Sequence, residues 1–362
     1  MCPLYLSNNL TAMVATRSRS KPSALARALT MASLAALSFH LGGCASSGAI
    51  LGGATAQQLT CDGVAIEAGA DLNALIEQAE LGDVLCLAAG TYKAPIRIEA
   101  SLTLAADGSG PVILDAGGEG TTLIANAPTG QIALRGLTII GGRGEAVGGG
   151  LSVGPGTELS MQRCVISGNE GGVEGGAALY AKGARVRIDQ TRIVGNRSSA
   201  GGSALLLDGR AQVTLRSSLI AENDDEQSAP IRVLDGAQLR FLGSTIANNR
   251  AAWSIELAGI SPSPPSLHVD GSILSHTGGP ILWILKGSNP PLVRVQRSVL
   301  HGDASQLTGG SNHRADPLLS SSYRPSQRSP ARDKLRILPA TWSSRDLFGV
   351  LRPSTPCLGA IE

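Results

Sequence analysis

Between Ile132 and Leu300 the apolar and polar positions return in register about every 27 residues, so this stretch reads as a pile of similar rungs. The rungs close at Gly142, Asn169, Asn196, Asn223, Asn249, Thr277 and Asp303. Three residues before each closing position stands Ile139, Ile166, Ile193, Ile220, Ile246, Leu274 or Leu300. Eight before stand Leu134, Met161, Ile188, Leu215, Phe241, Val269 and Val295, and ten before Ile132, Leu159, Val186, Val213, Leu239, Leu267 and Val293. Five before, a column of smaller residues holds Leu137, Cys164, Thr191, Ser218, Ser244, Ser272 and Ser298. Each rung therefore contains two short strands of period two, too brief to be helices and unable to bury a face alone. Stacked about 4.8 Å apart, the rungs pair their backbones and turn the columns into continuous apolar and hydroxyl ladders. The pattern predicts an all-β parallel solenoid. Glycine-rich turns at 148–150, 175–176 and 201–202 open a third strand. Its register stays open, because Leu151, Leu179 and Leu205 fall out of phase. Beyond Trp253 the repeat degrades, with Pro262, Pro264, Pro265, Pro290 and Pro291 in enlarged loops.

Upstream, Asp71–Glu80 has the spacing of a short amphipathic helix ended by Gly82-Asp83, and Val84–Tyr92 follows as the first strand. Helix, Gly-Asp, apolar strand and Ala89-Gly90-Thr91-Tyr92 resemble the N-terminal cap of pectin-lyase-like right-handed parallel β-helix proteins. Such a cap shields an unpaired strand edge and an open core. The expected β-helix with its capping helix spans residues 60–308, and 309–362 form a C-terminal cap or tail. In that tail Ala315-Asp316-Pro317-Leu318-Leu319, Tyr323-Arg324, Ser329-Pro330-Ala331, Arg352-Pro353 and Leu358–Glu362 are similar, in order, to the end of bacterial β-helix proteins called choice-of-anchor Q. The chain departs from that family at Arg332-Asp333-Lys334, where Asp-Gly is usual after Ser-Pro-Ala-Ile, and at Cys357–Glu362, where Asp-Ile-Gly-Ala-Tyr-Glu is usual. These resemblances imply a fold and secretion. They imply no activity, because one fold hosts many functions.

Residues 1–43 read as an export signal: a basic segment, then the apolar run Ala28–Leu41, too short for a permanent span. Leu41-Gly42-Gly43-Cys44 resembles the bacterial lipobox, which makes Cys44 the lipidation site and new N-terminus; a plain secretory signal is the alternative. Translation from Met13 would leave the signal intact. Ala45 stands where an aspartate would imply inner-membrane retention, so the resemblance implies the outer membrane or cell surface. Residues 44–59, rich in Gly, Ala and Ser, read as a tether. The formal charge of +2 comes from the leader, where Arg17, Arg19, Lys21 and Arg27 face no acid. No nucleic-acid partner follows from it, and a monomer is expected.

The asparagines Asn169, Asn196, Asn223 and Asn249 are read as a structural amide ladder. Among the cysteines, Cys86 lies between two inward leucines, so a Cys61–Cys86 disulfide is expected, with Cys61–Cys357 the alternative. Cys164 is expected as a buried thiol and Cys357 as unpaired. Asp224, Asp225 and Glu226 form a dense acidic turn with Ca²⁺ as a possible ligand, the one cofactor considered. Asp224-Asp225 also resembles the paired aspartates of polygalacturonases, whose Gly-His-Gly and Arg-Ile-Lys motifs are missing here, so no catalytic residue is assigned. Nine residues before each closing position an outward column reads Ala133, Ser160, Arg187, Thr214, Arg240, His268 and Arg294. Guanidiniums stacked this way suit the acidic groups of a polysaccharide, while Asp189 and Asp270 partly neutralise the face. Arg187, Arg240, His268, Arg294 and also Arg232 are the glycan-binding candidates. The expected role is an envelope-anchored scaffold contacting polysaccharide or another surface component. The alternative is a polysaccharide lyase or glycoside hydrolase, built around Asp224, Asp225, Glu226 and Arg232.

Overall fold

The computed structural model describes residues 61–362, apart from 226–227, 260–261, 286–288, 308, 333 and 335–337. The rungs stack as a parallel β-solenoid with three long sheets. Sheet A has ten strands, from Val64–Ile66 to Leu292–Gln296, and sheet B has ten, from Gly90–Lys93 to His313–Arg314. Sheet C has eight, from Ile96–Ile98 to Leu282–Leu285. The chain visits A, B and C in turn, and each strand pairs in parallel with its counterpart one rung on.

The three apolar columns meet inside. Leu159 pairs with Val186 and Met161 with Ile188 in sheet A, and Ile166 pairs with Ile193 in sheet B. Most of these side chains are completely enclosed, and they form one core cluster from Ile66 to Leu307. The third register follows the same logic: Leu151, Leu179, Leu205, Ile231, Ile255 and Leu282 are successive partners in sheet C. Loops of unequal length between sheets B and C hide that register in the sequence, although the strands themselves are aligned.

Two corners are built by side chains. At the turn from A to B, a residue with positive φ (Arg163, Gln190, Ser217 and their equivalents) reverses the chain. The hydroxyl that follows then bridges rungs. Thr191 Oγ1 accepts from the Cys164 amide at 3.3 Å and Ser218 Oγ from the Thr191 amide at 3.2 Å, and the ladder continues through Ser244, Ser272 and Ser298. At the turn out of sheet B the asparagines do the same work. The Asn169 amide donates to Asn196 Oδ1 at 3.1 Å, Asn196 to Asn223 at 3.1 Å, and Asn223 to Asn249 at 3.0 Å. Each Nδ2 also reaches a carbonyl of the rung before, as Asn196 does to Ile166 at 3.0 Å. Buried corners thus keep their backbone groups paired, which an apolar side chain there would leave orphaned.

At the N-terminal end the helix α1 spans Leu72–Gln78, shorter than the predicted segment, with the Asp71 carboxylate accepting from the Ala74 amide. Leu72 plugs the core. Asn73 clamps the edge strand of sheet C, donating to the Pro95 carbonyl at 2.8 Å and accepting from the Arg97 amide at 3.0 Å. The run Val84–Tyr92, predicted as one strand, is two: Val84–Leu87 lies in sheet A and Gly90–Lys93 in sheet B. Ahead of them Val64–Ile66 adds an edge strand to sheet A, and a Cys61–Cys86 disulfide ties the two together. Cys164 is the buried free thiol, its pKa pushed up to about 11 by burial. Cys357 is not unpaired as expected: it is disulfide-bonded, and not to Cys61.

The tail first adds the edge strand His313–Arg314 to sheet B, with Asn312 Oδ1 accepting from the Ser298 amide at 3.0 Å. Beyond that strand it folds back along the flank and covers the outward face of sheet B from Val194 to Val299. Tyr323, Leu347, Ala360 and Ile361 pack on Leu219, Ala221 and Ala247, while Ala331, Trp342 and Leu358 pack on Leu242, Ile273 and Val299. Trp342 lies directly over Gly243 and Gly271, where an added Cβ at Gly271 would fall 1.6 Å from its ring. Arg352 is fully enclosed, ion-paired with Glu362, and donates to Ser217 Oγ at 3.1 Å and the Gly359 carbonyl at 2.8 Å.

Candidate functional site

The tail buries the outside of sheet B between Val194 and Val299, and the glycine-rich turn at Gly176 lies close over Tyr180 and Leu206 on sheet C. The outward face of sheet A is a long open surface, with Ser160, Arg187, Arg240 and Arg294 exposed along it. Its central column is in register: Ser160 pairs with Arg187, Arg187 with Thr214, Thr214 with Arg240, Arg240 with His268, and His268 with Arg294. Strand periodicity forces this, because Val186 and Ile188 point inward and Arg187 between them must point out. Arg187, Arg240 and Arg294 are exposed.

The acids of this face do not cancel that row. Glu158 is paired with Arg185, which stands beside the row on the same strand as Arg187. Asp189 is held by both arms of Arg216, at 2.6 and 2.7 Å, and Asp270 by Arg297, whose Nε donates at 2.8 Å. Among the described residues Arg187 and Arg240 have no acidic partner, and Arg294 reaches only Gln296, at 3.1 Å. His268 is half-buried, and burial together with the neighbouring Arg240 charge lowers its pKa, so it is neutral at pH 7. Two depressions lie along the face. One of about 530 Å³ is lined by Thr103, Gln131, Arg135, Ser160 and Arg187, and one of about 270 Å³ by Arg187, Gln212, Thr214, Gln238 and Arg240. The polar lining is mainly guanidinium, hydroxyl and amide, with Glu158, held by Arg185, a carboxylate in the first depression; guanidinium groups of this kind recognise acidic ligands.

The fifth candidate, Arg232, belongs elsewhere. It stands on sheet C, where it holds Glu256 at 3.2 Å and donates to the Ala200 carbonyl at 2.9 Å. It contributes nothing to the arginine row. The acidic turn is likewise divided by strand alternation. Asp224 faces Arg197 at 3.9 Å and Arg250 at 3.8 Å, whereas Asp225 is fully buried and accepts from the Ser203 amide at 3.1 Å. Burial raises the Asp225 carboxyl to about 7; the Ser203 amide and Arg232 oppose the rise, and Asp224 and Glu256 add to it. Glu226 lies outside the described residues. Among the described residues no three His, Cys, Asp or Glu side chains are placed to hold a metal ion.

The structure also brings together residues that look scattered in the sequence. Trp253 and Trp283 stack with ring centroids 5.2 Å apart, and the Trp253 indole N–H reaches Glu256 at 3.4 Å. Strand register does not pair them, because Trp283 lies opposite Glu256 and Trp253 comes from the turn just before that strand. Near the tail a cleft of about 380 Å³ contains Ser275, His301 and Asp316. The trio is not a nucleophilic relay. Ser275 Oγ at 3.0 Å and Asp316 at 4.0 Å both approach Nδ1 of His301, whereas a relay needs the serine on one ring nitrogen and the acid on the other.

Cys44 and the export signal lie outside the described residues. Among the described residues no helix is long and apolar enough to cross a membrane. Compared with protein-family models and with curated proteins, the sequence gives no significant match to either, so the resemblances to pectin-lyase-like and choice-of-anchor Q proteins rest on the motifs alone.

Proposed function

We propose that the protein is an envelope-anchored scaffold that binds an acidic polysaccharide along the outward face of sheet A. The observation that carries this reading is the exposed, in-register and unneutralised row Arg187, Arg240 and Arg294. The row supplies charge, the flanking hydroxyls and amides supply hydrogen bonds, and the stiff stack keeps both in place without a cost in ordering. The carboxylates on this face are tied up in ion pairs, which favours binding over acid–base chemistry. The anchor in this reading is a lipid on Cys44.

Binding of acidic and neutral polysaccharides to the purified full-length protein tests the idea, with cleavage of the glycan scored in the same samples. Acidic chains are expected to bind, more weakly as salt screens the contact. Arg187→Ser with Arg240→Ser is expected to lose at least about tenfold in affinity. Equal binding of neutral chains, or full binding by the double variant, sinks the reading; cleavage moves it to the lyase or hydrolase alternative. Cys44→Ser is expected to shift the protein from membrane to soluble fractions, because lipid supplies the membrane affinity. Unchanged fractionation removes the anchor.

A further inference from the structure

The free charges on sheet A are not evenly spread. Arg187, Arg240 and Arg294 alternate with Thr214 and His268 along one column, so a cation stands on every second strand. Arg135 stands on the same face but to one side of this column, in register with Gln162 rather than with Ser160. It is exposed, has no acidic partner among the described residues, and its strand lies two rungs before that of Arg187. The strands between carry Ser160, Thr214 and His268 in the central column, a hydroxyl, a hydroxyl and an imidazole. Arg216, on the strand of Thr214, would fill a gap but is paired with Asp189, and Arg185, on the strand of Arg187, is paired with Glu158.

Rungs stack about 4.8 Å apart, so the free guanidiniums of the column recur at about 9.6 Å and cover roughly 19 Å from Arg187 to Arg294. A β-linked sugar chain in its extended form advances by a distance comparable to one rung spacing per ring. Laid along the stack, it places every second sugar opposite an arginine and each sugar between opposite a neutral hydrogen-bonding group. An acid on every second sugar meets a guanidinium each time, while the neutral sugars offer hydroxyl and amide groups to Thr214, His268 and Ser160. An acid on every sugar puts half of its charges opposite rungs with no countercharge. We infer that this face selects polysaccharides of alternating acidic and neutral sugars over those with an acid on each ring. The inference rests on the polysaccharide reading above and narrows it to a ligand class.

The test compares two octasaccharides by calorimetry on the full-length protein at 0.15 M salt. One alternates glucuronate with N-acetylglucosamine; the other is oligogalacturonate. The alternating chain is expected to bind at least about tenfold more tightly. Thr214→Arg places a cation in the gap between Arg187 and Arg240, and is expected to shrink or invert that preference while circular dichroism stays unchanged. Equal or tighter binding of oligogalacturonate to the wild type, or a preference unmoved in a folded Thr214→Arg variant, overturns the spacing argument and leaves acidic-polysaccharide binding standing. Failure of both octasaccharides to bind overturns the polysaccharide reading itself.

Discussion

Truncating Trp342 to alanine should release the tail and leave the solenoid folded. The indole is 4% exposed and packs among Leu242, Ile273, Val299, Ala331 and Leu358, a cluster separate from the solenoid core. Its ring also lies 5.5 Å from the Arg352 guanidinium. Removing a buried large aromatic costs about 3–5 kcal/mol, and a desolvated cation–π contact adds up to about 2 kcal/mol. The loss falls on the tail, because nearest-neighbour stacking keeps the rungs independent of it. A local loss of about 4 kcal/mol raises amide exchange in the tail by roughly three orders of magnitude. The reporters are the Leu358 amide, bonded to Ala331, and the Gly359 amide, bonded to the Gly271 carbonyl. Amides of the strands Gln131–Arg135 and Glu158–Gln162 should keep wild-type protection. Exchange rising equally in those strands, or unchanged in the tail, would refute the division into stack and cover.

Three further outcomes are expected. Ile193 is completely enclosed, so Ile193→Asp buries an unpartnered carboxylate and costs several kcal/mol; Thr214→Asp, between Arg187 and Arg240, stays within about 1 kcal/mol of wild type, and urea unfolding that ranks them otherwise contradicts the register. Asn196→Ala removes the acceptor of the Asn169 amide and the donor to the Ile166 carbonyl; with buried groups left unpaired it should cost about 2–4 kcal/mol, and a loss under about 0.5 kcal/mol would remove the ladder's structural role. Asp225 titrates near 7 in the fold, raised by burial from 3.8, so folding takes up a proton between these values. Its stabilisation is complete below about pH 4 and is lost as pH rises to about 7, a difference of a few kcal/mol. Asp225→Asn should flatten that slope in thermal melts from pH 4 to 8, and a slope equal to wild type would contradict the burial.

Much of this molecule is legible in its residues, because a solenoid repeats one local rule. Period-two alternation sets which side chains enter the core, and the 27-residue return of Ile166, Ile193 and Ile220 aligns one rung on the next. The asparagine and hydroxyl ladders follow from the same register, as does the arginine row on the opposite face of sheet A. The Cys61–Cys86 bridge is readable too, since Cys86 alternates with two inward leucines.

What tertiary structure alone decided lies where residues meet outside the repeat. The third register was obscured because the loops before sheet C differ in length. The stacking of Trp253 on Trp283 left no periodic trace, because Trp253 lies in the turn before its strand, outside the register that sets Trp283 opposite Glu256. The placement of the tail depends on Trp342 meeting two glycines far back in the chain, a contact with no local signature. The charge of the candidate face changed for the same reason. Asp189 and Asp270 look like free acids in the sequence, and only three-dimensional packing joins them to Arg216 and Arg297 one rung on. Periodicity fixes which way a side chain points; which charge answers it depends on a neighbour that the chain reaches about 27 residues later.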